Sequence, residues 1–150
     1  MRSGDAKKAV AAAQDAVAAI PDHAGLLDAL GRTQQAAGDI NQALASYNKL
    51  AALQPASPQP QLRLAEINVA AKNKDAAIQS LKRALEIKPD LIAAQRNLIG
   101  LLLDAGRNQE ALAVARAAAP EVASIAPQDA ALAGQTITVS ADDYGRDPVT

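Results

Sequence analysis

The chain contains no cysteine, no phenylalanine and no tryptophan, and Tyr47 and Tyr144 are its only aromatic residues. Without cysteine there are no disulfides and no thiolate metal sites, and the redox compartment stays open. Without large aromatics a core has to be assembled from Ala, Leu, Ile and Val. Alanine at contact positions draws helices toward the close end of the roughly 8–10 Å interaxial range. Charge of either sign is not in excess: 15 basic residues meet 16 acidic ones, for a formal net charge of −1. A nucleic-acid partner wants a basic face, so that class is set aside. No run approaches the roughly 18 apolar residues of a membrane span, and Met1-Arg2-Ser3-Gly4 has no apolar signal-peptide core behind it.

What the sequence does have is self-similarity. A shift of 34 residues lays Ala43, Tyr47 and Pro55 over Ala77, Leu81 and Pro89, and a second shift carries Ala77 onto Ala111. Gly38, Lys72 and Gly106 keep the same step, and Gly4 continues it backwards. A fixed period in the range of about 20 to 50 residues means stacked supersecondary units, and one of about 34 fits a helix-turn-helix repeat.

Taken in order, residues 5–19 read as a helix stopped by Pro21. It is the second helix of a unit whose first helix is missing, so a targeting segment has room upstream. Asp22 is the expected N-cap of the next helix, which carries Leu27, Leu30 and Gln34 on one stripe and ends at Gly38. Asp39 is expected to cap its partner, where Ile40, Leu44, Tyr47 and Ala51 recur before Pro55. After a turn through Pro58 and Pro60, residues 61–71 and 75–87 repeat the pair. There Lys72-Asn73-Lys74 replaces the glycine turn, with Asn73 expected at positive φ. Residues 90–105 and 108–118 form a third pair.

The order Leu30-Gly31, Gly38-Asp39, Ala43, Tyr47, Pro55 resembles a tetratricopeptide repeat, with small residues at the closest helix contacts and proline at the exit. The resemblance implies an all-α, right-handed solenoid of antiparallel helix pairs: about three full repeats with flanking half-repeats. The expected divisions are 1–23 (second helix of a truncated leading repeat), 24–57, 58–91, 92–125, and 126–150 (capping helix and irregular tail). Within that last segment Thr136-Ile137-Thr138-Val139-Ser140 alternates like a strand. The third unit departs from the pattern, with Ile99 at a small-residue position and no terminal proline. Residues 61–116 also resemble the long repeat proteins that bacteria carry beside exopolysaccharide and protein-sorting systems. The location stays open: a soluble chain in the cytoplasm or, if it is part of an exported bacterial repeat protein, in the periplasm.

Chemistry is sparse. His23, the single histidine, sits in a turn with no convergent partners for zinc or catalysis. Asp142-Asp143 lacks the ligand series of a calcium loop, and Ser80, Ser124 and Ser140 have no accompanying base. Lys72, Lys74, Lys82, Arg83 and Lys88 read as a solvated face. No catalytic residue, metal or cofactor is expected.

The family resemblance places ligand-facing positions on the first helix of each unit. They fall on Asp28, Arg32 and Gln35, then Leu62, Glu66 and Val69, then Arg96, Gly100 and Leu103. The family's clamp for a C-terminal carboxylate wants cations and amides, and here finds Asp28, Arg32, Glu66, Ala93 and Asn97. That excludes chaperone-tail binding of this kind. The expected function is a non-enzymatic scaffold that holds a protein or peptide segment in its concave groove. The alternative is a structural spacer from a longer array, self-associating through its open ends.

Overall fold

The structure, a computed structural model, describes residues 3–119. The strand-versus-cap question at 126–150 and Asp142-Asp143 fall outside that range. Within it the chain forms seven helices and no strand: α1 (Ser3–Ala19), α2 (Ala24–Ala37), α3 (Ile40–Leu53), α4 (Gln59–Ala70), α5 (Lys74–Ile87), α6 (Ile92–Asp104) and α7 (Asn108–Ala118). Each helix packs broadly only on the helices before and after it in sequence. This is the arrangement of a stack in which every unit leans on its neighbours, a helical-repeat solenoid.

The turns inside the three pairs repeat one backbone device. Gly38 (φ 84°), Lys72 (φ 63°) and Gly106 (φ 72°) are the residues at positive φ. After each, the next amide reaches back into the preceding helix: Asp39 N donates to Gln34 O (2.9 Å), Asn73 N to Asn68 O (2.8 Å) and Arg107 N to Leu102 O (2.8 Å). These are the six-to-one bonds of a Schellman terminus, which require one left-handed residue. The second turn corrects the sequence expectation, since Lys72 and not Asn73 takes that conformation. Register decides: the left-handed site is the one aligned with Gly38, and Asn73 falls one place later as the N-cap of α5. Gly4, aligned with the same site, instead lies inside α1.

Caps also differ from expectation. His23, not Asp22, is the N-cap of α2, its Nδ1 accepting from the Leu26 amide at 3.2 Å. An imidazole nitrogen can take the place of the usual side-chain oxygen. Asp39 stands at the N-cap of α3, but its side chain makes no capping bond. Pro60 sits in the first turn of α4, where its missing N–H leaves no ladder bond unmade.

Two core clusters run along the stack. The first gathers Leu27, Ala43, Tyr47, Leu50, Leu64 and Ile67. The second gathers Ala65, Ile78, Leu81, Ala94, Leu98, Leu102 and Ala111. Since Leu64 and Ala65 are adjacent on α4, that helix is the hinge of both. Ala43 and Ala77 are fully buried and Ala111 nearly so, so the alanines of the 34-residue step are the close contacts between helices.

Candidate partner-binding groove

Between α4 and α6 the stack leaves an open groove of about 820 Å³. Its floor is apolar because the residues of α4 and α6 facing it are Leu62, Ala65, Val69, Ala94, Gly100 and Leu101. Its rim carries Glu66, Asp90, Arg96, Asn97 and Asp104. Val69 is 48% exposed and Ile92, at the edge, 66% exposed. Apolar side chains left open beside a charged rim have the composition of a recognition surface.

Of the nine positions named from sequence, Leu62, Glu66, Val69, Arg96 and Gly100 line this groove together. The other four do not. Leu103 is exposed on α6 but lies outside the lining. Arg32 lines a separate recess of about 320 Å³ with Ala6, Ala9, Ala29, Thr33 and Ala36 of α1 and α2. Asp28 borders another recess, of about 310 Å³, that includes Tyr47 and Arg63. Gln35 is half-buried and lines none of these. Five of the nine positions thus share one groove on α4 and α6, while Asp28 and Arg32 of α2 border separate recesses.

Asp28 and Arg32 of α2 are paired within the chain. Asp28 Oδ1 accepts from the Tyr47 hydroxyl at 3.3 Å, and Asp28 Oδ2 pairs with Arg32 Nε at 3.2 Å. Tyr47 is fully buried. Burial, and then the Asp28 carboxylate beside it, push its hydroxyl up to about 12. Asp28 thus holds the buried phenol while its side chain stays partly exposed. In the groove Glu66 pairs with Arg63 at 2.9 Å, which raises the Arg63 pKa. Arg96, Asp90 and Asp104 make no ion pair among the described residues.

Sequence reasoning missed Ile92, Asp90, Leu101 and Asp104. The edges of α6 depend on where its first turn begins, and a helix expected from residue 90 starts at Ile92. Asp90 therefore stands in the approach to the groove rather than inside the helix.

On the outer side, the basic region is not wholly solvated. Lys82 Nζ meets Glu110 Oε2 at 2.8 Å, and Arg107 grips the same carboxylate at 2.6 and 2.9 Å. These bonds, first Arg107 and then Lys82, lower the Glu110 pKa from 4.5 to about 2. The cluster ties α5 to α7 and leaves the groove open. Among the described residues no three His, Cys, Asp or Glu side chains converge to hold a metal, and no helix is long and apolar enough to cross a membrane.

Comparison with known proteins agrees with the repeat geometry. Residues 29–92 match the family model described as tetratricopeptide repeat. No curated protein matches the sequence. Among solved structures, a crystal structure of MamA is 26% identical over 78% of this chain and 68% of that one, with a TM-score of 0.65. A second crystal structure of MamA is also 26% identical, covers 78% of this chain and 64% of that one, and gives a TM-score of 0.64. An RS-1 MamA double mutant, 16% identical, covers 77% of this chain and 65% of that one with a TM-score of 0.65, and bears on the fold alone. The chain thus spans just under two thirds of the length of the latter two.

Proposed function

We propose that the chain, whose residues 29–92 match the tetratricopeptide-repeat model, is a non-enzymatic interaction scaffold which holds a segment of a protein partner in the groove between α4 and α6. The observation that carries the reading is the open apolar floor of Leu62 and Val69 with Ile92 at its edge. In a water-soluble array these side chains gain from being covered, at roughly 25 cal/mol per Å² of apolar surface removed from water. Within this reading the working units are 24–57, 58–91 and 92–125, with the site built by the second and third. The first unit supports it through α4, which shares its core.

A photo-crosslinking residue placed at Asn97 in the groove, and separately at exposed Gln79 on α5, tests the proposal in a cell lysate. The expected outcome is capture from position 97 that Leu62→Asp with Val69→Asp removes. Equal capture from position 79 would overturn it. Sedimentation that rises with concentration for the chain alone, without any captured protein, would favour the self-associating spacer instead.

A further inference from the structure

Nothing among the described residues requires a glycine at position 100. It lies in the interior of α6, where glycine is less favourable than alanine by about 0.5–1 kcal/mol. It is not at positive φ, and a Cβ added there would meet nothing within 4 Å among the described residues. Gly31 is the contrast: a Cβ on it would stand 2.6 Å from the Tyr47 ring, so that glycine is required by packing. Gly100 instead opens the floor of the groove to a close approach from outside.

The groove also has a sign. Among the described residues Glu66, Asp90 and Asp104 line it with one cation, Arg96; since Glu66 is paired with Arg63, Asp90 and Asp104 leave an excess of one negative charge. Its apolar floor offers an extended backbone no row of partners, Asn97 being the one neutral side-chain amide in the lining among the described residues. A strand laid across it would bury unpaired N–H and C=O groups, whereas a helix satisfies its own. The flanking helices α4 and α6 present two ridges, and a third helix fits between such ridges. The chain's own residues 120–150 carry five acids and one arginine, the wrong sign for this rim.

We propose that the groove takes a basic amphipathic helix of a partner protein, its apolar face on Leu62 and Val69, its closest approach over Gly100, and its Lys or Arg side chains against Asp90 and Asp104. The inference rests on the groove reading above and deepens it to a class of ligand.

The test is fluorescence anisotropy with labelled peptides of about 15 residues, long enough to populate helix on binding. One carries leucine and lysine at helical spacing, one leucine and glutamate at the same spacing, and one leucine and lysine in strict alternation. The helical lysine peptide is expected to bind, at least about tenfold more tightly than either other peptide, and less tightly as salt rises. Gly100→Leu is expected to weaken that binding about tenfold or more without lowering the thermal midpoint, since leucine is the better helix former. Asp90→Asn with Asp104→Asn is expected to remove most of the preference for lysine over glutamate. Equal binding of the glutamate or alternating peptide, no binding of any peptide, or unchanged affinity in Gly100→Leu would each overturn the inference. If an acidic or alternating peptide binds and Leu62→Asp abolishes it, the groove reading survives while the basic helix does not. If crosslinking finds no groove contact, the groove reading itself fails.

Discussion

In the α2–α3 pair a full-sized phenol is seated against a glycine, and a buried glutamine is bonded to a buried serine. The α6–α7 pair holds only aliphatic side chains at the corresponding places. The shift can be followed along the register. Gly31 becomes Ala65 and then Ile99, while Tyr47 becomes Leu81 and then Ala115, so the small partner moves from the first helix to the second. Gln34 becomes Asn68 and then Leu102, while Ser46 becomes Ser80 and then Val114. At the start, the Ser46 hydroxyl donates to Gln34 Oε1 at 2.7 Å and Asp28 accepts from Tyr47. At the end, Leu102 is fully buried and Val114 packs on the aliphatic cluster. The same helix-pair geometry is thus specified once by directional bonds and once by volume. Directional bonds penalise a wrong neighbour through unsatisfied polar groups, whereas aliphatic packing tolerates volume-conserving exchange.

The largest expected effect follows from the phenol. Tyr47→Ala removes the biggest fully buried side chain among the described residues and should destabilise by about 3–5 kcal/mol in urea unfolding. Gly31→Ala with Tyr47→Leu rebuilds the second pair's arrangement inside the first. It should recover most of that loss, while Gly31→Ala alone overpacks the ring by about 1–3 kcal/mol. If the double variant is no better than the sum of its parts, the exchange of volumes along the register is coincidental.

Alkaline pH separates the two ends next. Tyr47 keeps its proton to about 12 in the folded state, whereas the unfolded residue loses it near 10. Above pH 10 the unfolded state therefore binds fewer protons, and stability falls as pH rises through that window. The loss is on the order of 2–3 kcal/mol at the upper end. Tyr47→Phe should be flatter over the same range, measured by unfolding midpoints at successive pH values.

The buried amide and hydroxyl give a smaller effect. Gln34→Leu leaves the Ser46 hydroxyl without its acceptor and should cost about 1–3 kcal/mol. Gln34→Leu with Ser46→Val installs the third pair's residues and should return stability to near the parent. A double variant as weak as the single one would show that the first pair depends on its polar link for more than satisfaction.

The repeat was legible because its signal is periodic: alanines at closest contact, prolines at exits and residues at the left-handed turns all recur at one step. Where register alone decided, as at Ala43, Ala77 and Ala111, sequence and structure coincide. What sequence could not supply was pairing. Asp28 and Arg32 have the right chemistry and helical face for a ligand, yet a tyrosine 19 positions from Asp28 and a neighbour one turn away engage them. The charge of the groove was hidden for a related reason, since Asp90 and Asp104 join it from the two ends of α6 rather than from the expected rungs. Propensity misled at the turns. Asn73 is the better left-handed residue in isolation, but the six-to-one bond fixes which position must adopt that conformation.

The smallest effect sits at that turn. Lys72 is an exposed residue held at φ 63° where its two counterparts are glycines. Left-handed backbone costs a side chain about 1–2 kcal/mol, and part of the relief from Lys72→Gly is offset by the greater freedom glycine has when unfolded. The net expectation is a gain of about 0.5–1 kcal/mol, with the amide exchange of α4 and α5 slowed more than that of α2 and α3. Gly106→Lys should show the reverse, a loss of similar size concentrated in α6 and α7. Both changes leave the bonds Asn73 N to Asn68 O and Arg107 N to Leu102 O available, so they report on backbone conformation alone. If Lys72→Gly is neutral while Gly106→Lys is destabilising, the lysine side chain must contribute something at its turn that a glycine cannot, and the middle pair is then not a simple intermediate between the two ends.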